Sequence, residues 1–443
     1  MPVRTARKQL AAVRSAVPGY LSALSSGYLL TVGNMLAQFV LTPFYLRYLG
    51  ESQFGVLMML LGAINFAAVG LGWMSGGLVR VLGERWATHD RAGFITAFAV
   101  GKYVYVAYAT LTIGLGLAAW SLGVVLSHGN AGSARSILLA AAYFLLAYEN
   151  IPERQAFIAA NRQVVGNRFE LGRLLLSTVV VLLSLPRAPH IDTVWYAMIA
   201  GMLAQRAGTA AYWKQQVPSI GWRRFAPEMI PLLRRLAGRQ GAGYVVFGMI
   251  GLSLQADTLI VGILGGASLA GKFVLLWRIP EALGTLISRV PSTMEPRIIQ
   301  LDAVGERQNL LRMFVRGRRW YVLLVLCVAI CYALVGRWLT ALWVGANAPA
   351  DGWMYVAAAT ALFFGALSKW PVSFSYALIS LPRLNLVAGL ELAGKLALIV
   401  LLLPHFGIAA PVLAAAAVHV LYAAYLYQKL AKFWSPSMAR HVP

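Results

Sequence analysis

The residues of this chain whose types could do chemistry are ionisable side chains that interrupt long apolar runs. A charge inside such a run is costly to bury in a membrane, and it usually faces a protein interior or a water-filled cavity. More of these residues are basic than acidic, which predicts a cavity that attracts an anionic group such as a phosphate or a diphosphate. The basic residues are Lys102, Arg206, Arg278, Arg289, Lys369 and Lys395, and the acidic residues are Glu149, Asp257, Glu281 and Glu391.

The spacing of four of these charges leaves a second interpretation open. Glu391 and Lys395 are four residues apart, and Arg278 and Glu281 are three residues apart. Residues at these separations lie on one face of a helix, so each pair could neutralise itself without any ligand. Both interpretations of these pairs remain open on the sequence alone.

Lys369 is singled out by Pro371, which stands two residues further along the chain. Pro371 has no backbone N–H to donate, and a proline disfavours helical geometry in the residue before it. The sequence therefore predicts a broken helix beside a buried cation at this point. Such a break makes Lys369 a stronger candidate for a binding site than a cation in a regular helix.

Other patterns favour structural roles. The segment 266–272, GASLAGK, resembles a phosphate-binding loop, but Phe273 stands where that loop needs a hydroxyl group for magnesium. Cys327 and Cys331 lie in one apolar run and are interpreted as packing residues. His419 could relay protons, although a packing histidine is favoured. We find no catalytic or metal-ligand spacing, and we expect no enzyme activity, no metal and no other cofactor.

The composition predicts a membrane protein. Of 443 residues, 59% are hydrophobic and 12% are charged, and the mean hydropathy is +0.69. These values exclude a soluble globular protein, and the net charge of +23 is spread over loops, which argues against nucleic-acid binding. Twelve runs are long enough to span a bilayer. They cover residues 24–48, 55–79, 94–126, 136–158, 168–186, 193–213, 240–264, 271–294, 318–340, 353–380, 384–403 and 408–428.

The corner between the first two spans recurs in the second half of the chain. At a constant offset of 216 residues, Gly50 aligns with Gly266 and Gly55 with Gly271, within eight identities over 38 positions. We expect the glycines of the first corner to let the backbone bend. The same offset places the first six spans on or near the last six.

The repeat predicts two six-helix lobes of the same orientation, related by a pseudo-two-fold axis along the membrane normal. We expect an all-α polytopic fold with an N-terminal lobe over 1–213 and a C-terminal lobe over 240–443. The basic segment 214–239 between them is interpreted as a cytoplasmic linker, partly helical and lying on anionic headgroups.

The distribution of Lys and Arg predicts the orientation. Of the 38 basic residues, 27 fall in one set of alternate loops and in the two tails, and five fall on the opposite side. Basic residues are enriched on the cytoplasmic side of membrane proteins. Both termini are therefore expected in the cytoplasm.

The first hairpin resembles the start of bacterial polysaccharide flippases of the O-antigen type, which belong to the multidrug/oligosaccharidyl-lipid/polysaccharide (MOP) exporter superfamily. The resemblance is carried by short motifs and by the layout of most of the chain. The motifs are the corner Arg47-x-Leu49-Gly50-x-x-x-Phe54-Gly55, Gly70-Leu71-Gly72, Arg80, and the stretches 161–181 and 257–271.

The resemblance implies two lobes around a central cavity and the flipping of a polyprenyl-diphosphate-linked oligosaccharide across the inner membrane, for surface polysaccharide synthesis. It implies alternating access, often with an ion gradient. The partners would be the lipid-linked glycan, membrane lipids and glycan assembly enzymes. Arg47 and Arg80 would lie near the two mouths of the cavity and Arg278, Lys369 and Lys395 would bind the diphosphate; Lys102, Arg206 and Arg289 are further cavity cations. Asp257, Glu281, Glu391 and Glu149 would be candidate sites for a coupling ion.

Rival functions also fit parts of the sequence. A cation-coupled multidrug exporter of the same superfamily would prefer an acidic cavity, whereas the in-span charges here lean basic. A major facilitator would need a characteristic basic run after its second span, and RVLGERWATHDRAG matches that run poorly. A membrane glycan polymerase or glycosyltransferase would need a large external loop or acidic pairs, which we do not find.

Overall fold

The computed structural model describes residues 2–69, 72–127, 133–237, 245–303, 305–378 and 381–433, and these residues form helices joined by short turns, with no strand among them. The prediction of an all-α polytopic membrane protein is confirmed. The helices are α1 Pro2–Val69, α2 Gly72–Ala87, α3 Arg91–Ser127, α4 Ala134–Glu149, α5 Ile151–Ala159, α6 Gln163–Ser184, α7 Ile191–Gln216, α8 Met229–Ala237, α9 Val245–Gly265, α10 Ala267–Ala303, α11 Arg307–Val344, α12 Gly352–Leu378, α13 Leu381–Phe406 and α14 Ala410–Phe433.

Each predicted span falls mainly on helical residues; the exceptions are turns at Asn150 and at 185–186, and positions outside the described residues, such as the start of the seventh span at 240–244. Within the described residues, four helical stretches are long and apolar enough to cross a membrane on a strict hydropathy criterion. They are Ser25–Ala68, Arg91–Ser121, Arg307–Asn347 and Leu386–Ala431.

The break in a charged span lies at a different place from the one predicted. Helix α12 continues through Pro371, so the prediction of a broken helix at Lys369 is wrong. Transmembrane helices tolerate proline because neighbouring groups and small local adjustments satisfy the freed backbone carbonyl. The predicted fourth span is broken instead, because α4 ends at Glu149 and α5 begins at Ile151.

Two repeat-related glycines bend the backbone at the two corners. Gly50 interrupts α1 with a φ of 74°, and Gly266, between α9 and α10, has a φ of 87°. An L-residue with a side chain rarely adopts such angles, so a glycine is required at both points. The bend predicted at Gly50 is confirmed.

Gly55 has a different role from the predicted bend, since it lies within a regular helix. A Cβ atom at Gly55 would overlap the backbone carbonyl of Ala267. A Cβ atom at Gly271 would lie 3.3 Å from the Cα atom of Gly55. These two repeat-related glycines therefore allow the two corners to approach each other at backbone distance.

Two compact units contain the described helices. The first unit contains Met1–Leu49 and Leu71–Tyr244, and the second contains Gly50–Gly70 and Val245–Pro443. In the first unit α2 packs on α3 and α5, and α7 packs on α4 and α6. In the second unit α12 packs on α10, α11 and α14, and α9 packs on α13. The predicted division into lobes over 1–213 and 240–443 with a linker over 214–239 stays a prediction.

Candidate functional site

The first unit contains a buried cluster of charges where its fourth span is broken. Lys102, on α3, places its ammonium group 2.5 Å from Oε1 of Glu153 and 2.5 Å from the backbone carbonyl of Glu149. The same ammonium group lies 3.9 Å from the Glu149 carboxylate. All three side chains are buried, so these contacts replace the hydration that each charge loses.

Two further groups complete the shell of Glu149. Arg206, on α7, lies 2.7 Å from Oε1 of Glu149, and the indole N–H of Trp222 donates to the same oxygen at 3.1 Å. With Lys102 and Glu153, the cluster contains two basic and two acidic side chains. The formal charges of the cluster sum to zero, so these four residues do not add to the excess of positive charge that was expected to attract an anionic ligand.

The local sequence explains why the span breaks at this point. Pro152 stands in the first turn of α5 and has no N–H with which to continue the helical hydrogen bonds of α4. Asn150 therefore ends one helix and precedes the next, and the side chain of Thr209 on α7 donates to its amide oxygen at 3.1 Å. The carbonyl of Glu149, freed at the end of α4, is satisfied by Lys102, a favourable position for a cation.

The second unit contains two buried pairs that join separate helices. Lys395, on α13, lies 2.8 Å and 2.9 Å from the two carboxylate oxygens of Asp257 on α9. Glu391, one turn earlier on α13, lies 3.2 Å from Nε2 of His419 on α14. Lys395 and Glu391 thus each reach a partner on another helix, which the interpretation as a pair within one helix does not anticipate.

Lys369, on α12, is half-buried and makes no hydrogen bond or ion pair to the part of the chain that the structure describes. Glu391, Lys395 and His419 are its charged or titratable neighbours in the same unit. On the same helix, a Cβ atom at Gly365 would lie 3.2 Å from Nδ1 of His419, so this glycine makes room for the imidazole ring. Lys369 is thus a half-buried cation whose neighbours Lys395 and Glu391 make their own contacts with Asp257 and His419.

The remaining candidate cations lie in varied surroundings. Arg278 and Glu281 form the predicted pair within α10, at 3.2 Å. Arg80 is exposed and bonds Glu84 at 3.1 Å; this hydrogen bond, with Arg235 nearby, lowers the pKa of the Glu84 carboxyl group. Two further exposed cations are Arg47, whose guanidinium group lies over the ring of Tyr48, and Arg289 near the middle of α10.

Sequence reasoning missed Glu153 and Trp222 as candidates, and it did not predict the contact of His419 with Glu391. Glu153 follows Glu149 by four residues in the same span, and this spacing could have identified it as a second acid on one face. Trp222 was predicted only as part of an interfacial linker. His419 was favoured as a packing residue, and its contact with Glu391 depends on α13 and α14 packing together.

No protein-family model matches the chain. In Bacillus subtilis (strain 168), the uncharacterized membrane protein EpsK is 24% identical over 315 residues, or 69% of this chain. The matched region spans 61% of the length of that relative.

Several solved transporters share the fold. An inward-facing multidrug resistance MATE family transporter of the MOP superfamily aligns with a TM-score of 0.68 over 93% of this chain and 98% of that one, at 11% identity. The lipid II flippase MurJ, in an inward closed conformation, aligns with a TM-score of 0.65 over 91% of this chain and 87% of that one, at 13% identity. A point mutant of the MATE transporter VcmN of Vibrio cholerae gives 0.56 over 95% and 98%, at 13% identity. The chain is a multi-pass membrane protein with the fold of MOP superfamily transporters and flippases.

Proposed function

We propose that this protein is a flippase that moves a polyprenyl-diphosphate-linked oligosaccharide across the bacterial inner membrane for surface polysaccharide synthesis. The carrier lipid would cross by alternating access, from the cytoplasmic to the outer leaflet. The fold supports a transporter or flippase, but MATE transporters and MurJ share it equally. The choice of cargo therefore depends on the charges inside the spans.

Lys369 is the observation that carries the choice. It is a cation inside a span that forms no hydrogen bond or ion pair with the described residues, although Glu391 is a charged neighbour. A diphosphate offers charged oxygens that bind such a cation by charge-assisted hydrogen bonds. Glu391 is already in contact with His419, so an anionic ligand would give the partly buried ammonium group of Lys369 a direct partner and lower the cost of burying its charge.

The in-span carboxylates argue against the rival cargo. A multidrug exporter for organic cations would need an acid that is free to pair with its substrate. Each candidate acid already lies within 4 Å of a basic side chain. The alternatives stay a cation-coupled multidrug exporter and, from another class, a membrane-embedded glycan polymerase or glycosyltransferase; the transporter fold favours neither enzyme.

The candidate residues take revised roles in this proposal. Lys369 is the primary cation for the diphosphate, and Arg278, Arg289, Arg47 and Arg80 are secondary cations. Three other cations form ion pairs with buried acids and would mainly stabilise the fold: Lys395, Lys102 and Arg206. Asp257, Glu281, Glu391 and Glu149 stay candidate sites for a coupling ion. We also propose cytoplasmic termini, and partners among membrane lipids and glycan assembly enzymes.

Reconstitution into liposomes tests the cargo. A fluorescent polyprenyl-diphosphate oligosaccharide is placed in both leaflets, and a membrane-impermeant reagent then destroys the fluorophore in the outer leaflet. With the protein present, the protected fraction should fall well below that of empty liposomes. Protection equal to that of empty liposomes, together with uptake of a cationic dye, would assign the protein to the multidrug class.

A further inference from the structure

The segment 217–236, which we call the strap, lies along the first unit at the broken span. Residues 217–228 have no regular secondary structure, and α8 continues the strap and packs on α2 and α3. Four apolar side chains along its length are at most 7% exposed: Val217, Ile220, Met229 and Leu236. Burial at these points anchors the strap on the unit rather than leaving it a free tether.

Trp222 connects the strap to the buried charges. Its indole N–H donates to Oε1 of Glu149 at 3.1 Å, on the oxygen that Arg206 also contacts. The preceding residue, Gly221, has a φ of 148°, which L side chains rarely adopt. The direction of the chain into Trp222 therefore depends on a glycine.

Tyr103 holds the same part of the strap from α3, one residue after Lys102. Its hydroxyl group donates to the backbone carbonyl of Arg223 at 2.5 Å. Its ring lies edge-on to Trp222 and to Phe225, at centroid distances of 5.3 Å and 5.5 Å. Neighbouring positions of α3 thus contact the charge cluster and the strap.

We propose that Trp222 is a positioning residue that fastens the strap to the carboxylate of Glu149. The strap carries the chain from the first set of spans to the second, so a movement of Glu149 reaches the connection between the two halves directly. A change that displaces Glu149 releases the strap, and loss of the Trp222 N–H loosens the hold on Glu149. The strap is thus a connection held in place by the hydrogen bond from Trp222 to Glu149, at the break between α4 and α5.

Hydrogen exchange of the full chain in detergent, measured by mass spectrometry, tests whether the Trp222–Glu149 hydrogen bond holds the strap, without any transport assay. Trp222→Phe keeps an aromatic ring against Tyr103 and removes the N–H donor. It should speed exchange of the amides of Ile220, Met229 and Ile230, whose N–H groups donate to carbonyls within the strap, by about tenfold, as expected for losing one hydrogen bond to a charged group. Trp338→Phe, at an exposed tryptophan of α11, is the control and should leave these amides unchanged.

Two variants of the acceptor separate the hydrogen bond from general destabilisation. Glu149→Gln retains an oxygen that can accept from Trp222, so the strap should keep nearly the exchange of the wild type. Glu149→Ala removes the acceptor and should release the strap as Trp222→Phe does. Unchanged exchange in Trp222→Phe would overturn the proposal, as would equal release by the Gln and Ala variants; should the Ala variant fail to fold, Trp222→Phe still decides.

Discussion

Lys395 lies within 2.9 Å of both carboxylate oxygens of Asp257, although the two residues are 138 positions apart in sequence. The pair joins α13 to α9 inside an apolar unit, where neither charge has water as an alternative. Its first role is therefore to hold two helices together in one register. The positive charge of Lys395, which could have bound a substrate, is thereby neutralised by Asp257.

Removing one member of this pair should destabilise the protein more than removing both. Lys395→Met leaves a buried carboxylate without its counter-ion, a loss of about 3–5 kcal/mol in the free energy of unfolding. The double variant Lys395→Met/Asp257→Asn removes both charges and should recover most of that loss. Thermal unfolding in detergent measures the difference. Equal destabilisation by the single and double variants would show that Lys395 and Asp257 do not stabilise the fold as a pair.

The cluster of the first unit should show the same behaviour around Lys102. Lys102→Met leaves Glu153 and the carbonyl of Glu149 without their shared donor, so we expect a clear loss of thermal stability. Adding Glu153→Gln should restore part of it, because the remaining carboxylate still has Arg206 and Trp222. No recovery in Lys102→Met/Glu153→Gln would contradict the partnership of these two residues.

The close approach of the two corners predicts a strict demand for glycine at position 55. A Cβ atom there would overlap the carbonyl of Ala267, so Gly55→Ala must push two helices apart. Gly114→Ala is the matched control, since a Cβ atom at Gly114 meets no other atom within 4 Å. We expect Gly55→Ala to lower the melting temperature by several degrees and Gly114→Ala to leave it unchanged or raised. Comparable melting temperatures for the two variants would refute the close contact.

Local patterns predicted part of this fold and failed where distant residues decide. Gly50 could be predicted as a bend because a glycine in a polar corner has few other roles. The break at Asn150 was missed since Pro152 lies within a run that is apolar enough to span a membrane. At Pro371 the error was the opposite one: a break was predicted, but α12 is continuous through the proline, which transmembrane helices tolerate.

The partners of the buried charges could not be predicted from local sequence patterns, because these contacts join residues that are far apart in the sequence. Glu391 and Lys395 are correctly spaced for a pair on one helix, and only the packing of α9 and α14 against α13 brings Asp257 and His419 within reach. The sequence singled out Lys369 as a candidate for the binding site, and that role stays a prediction. The reason given for it, a broken helix, was wrong, and the proposal now depends on the absence of an ion pair to Lys369 among the described residues.

Lys369 should be required for transport and dispensable for folding. Lys369→Gln removes the charge, and without an ion pair to break it should melt within a few degrees of the wild type. We expect its flipping of the lipid-linked oligosaccharide to fall at least about tenfold, which corresponds to one charge-assisted hydrogen bond. Lys369→Arg keeps the charge and should retain most of the activity. Full activity of Lys369→Gln would remove this residue from the diphosphate site.

The most direct test of the proposed function is made in cells that lack this protein. Polyprenyl-diphosphate glycans are extracted from them, their leaflet is determined with an impermeant reagent, and surface polysaccharide is stained. We predict that a lipid-linked glycan accumulates in the cytoplasmic leaflet while surface polysaccharide is lost, and that the wild-type protein but not Lys369→Gln restores both. Normal glycans together with a new sensitivity to cationic drugs would contradict the flippase and support the exporter.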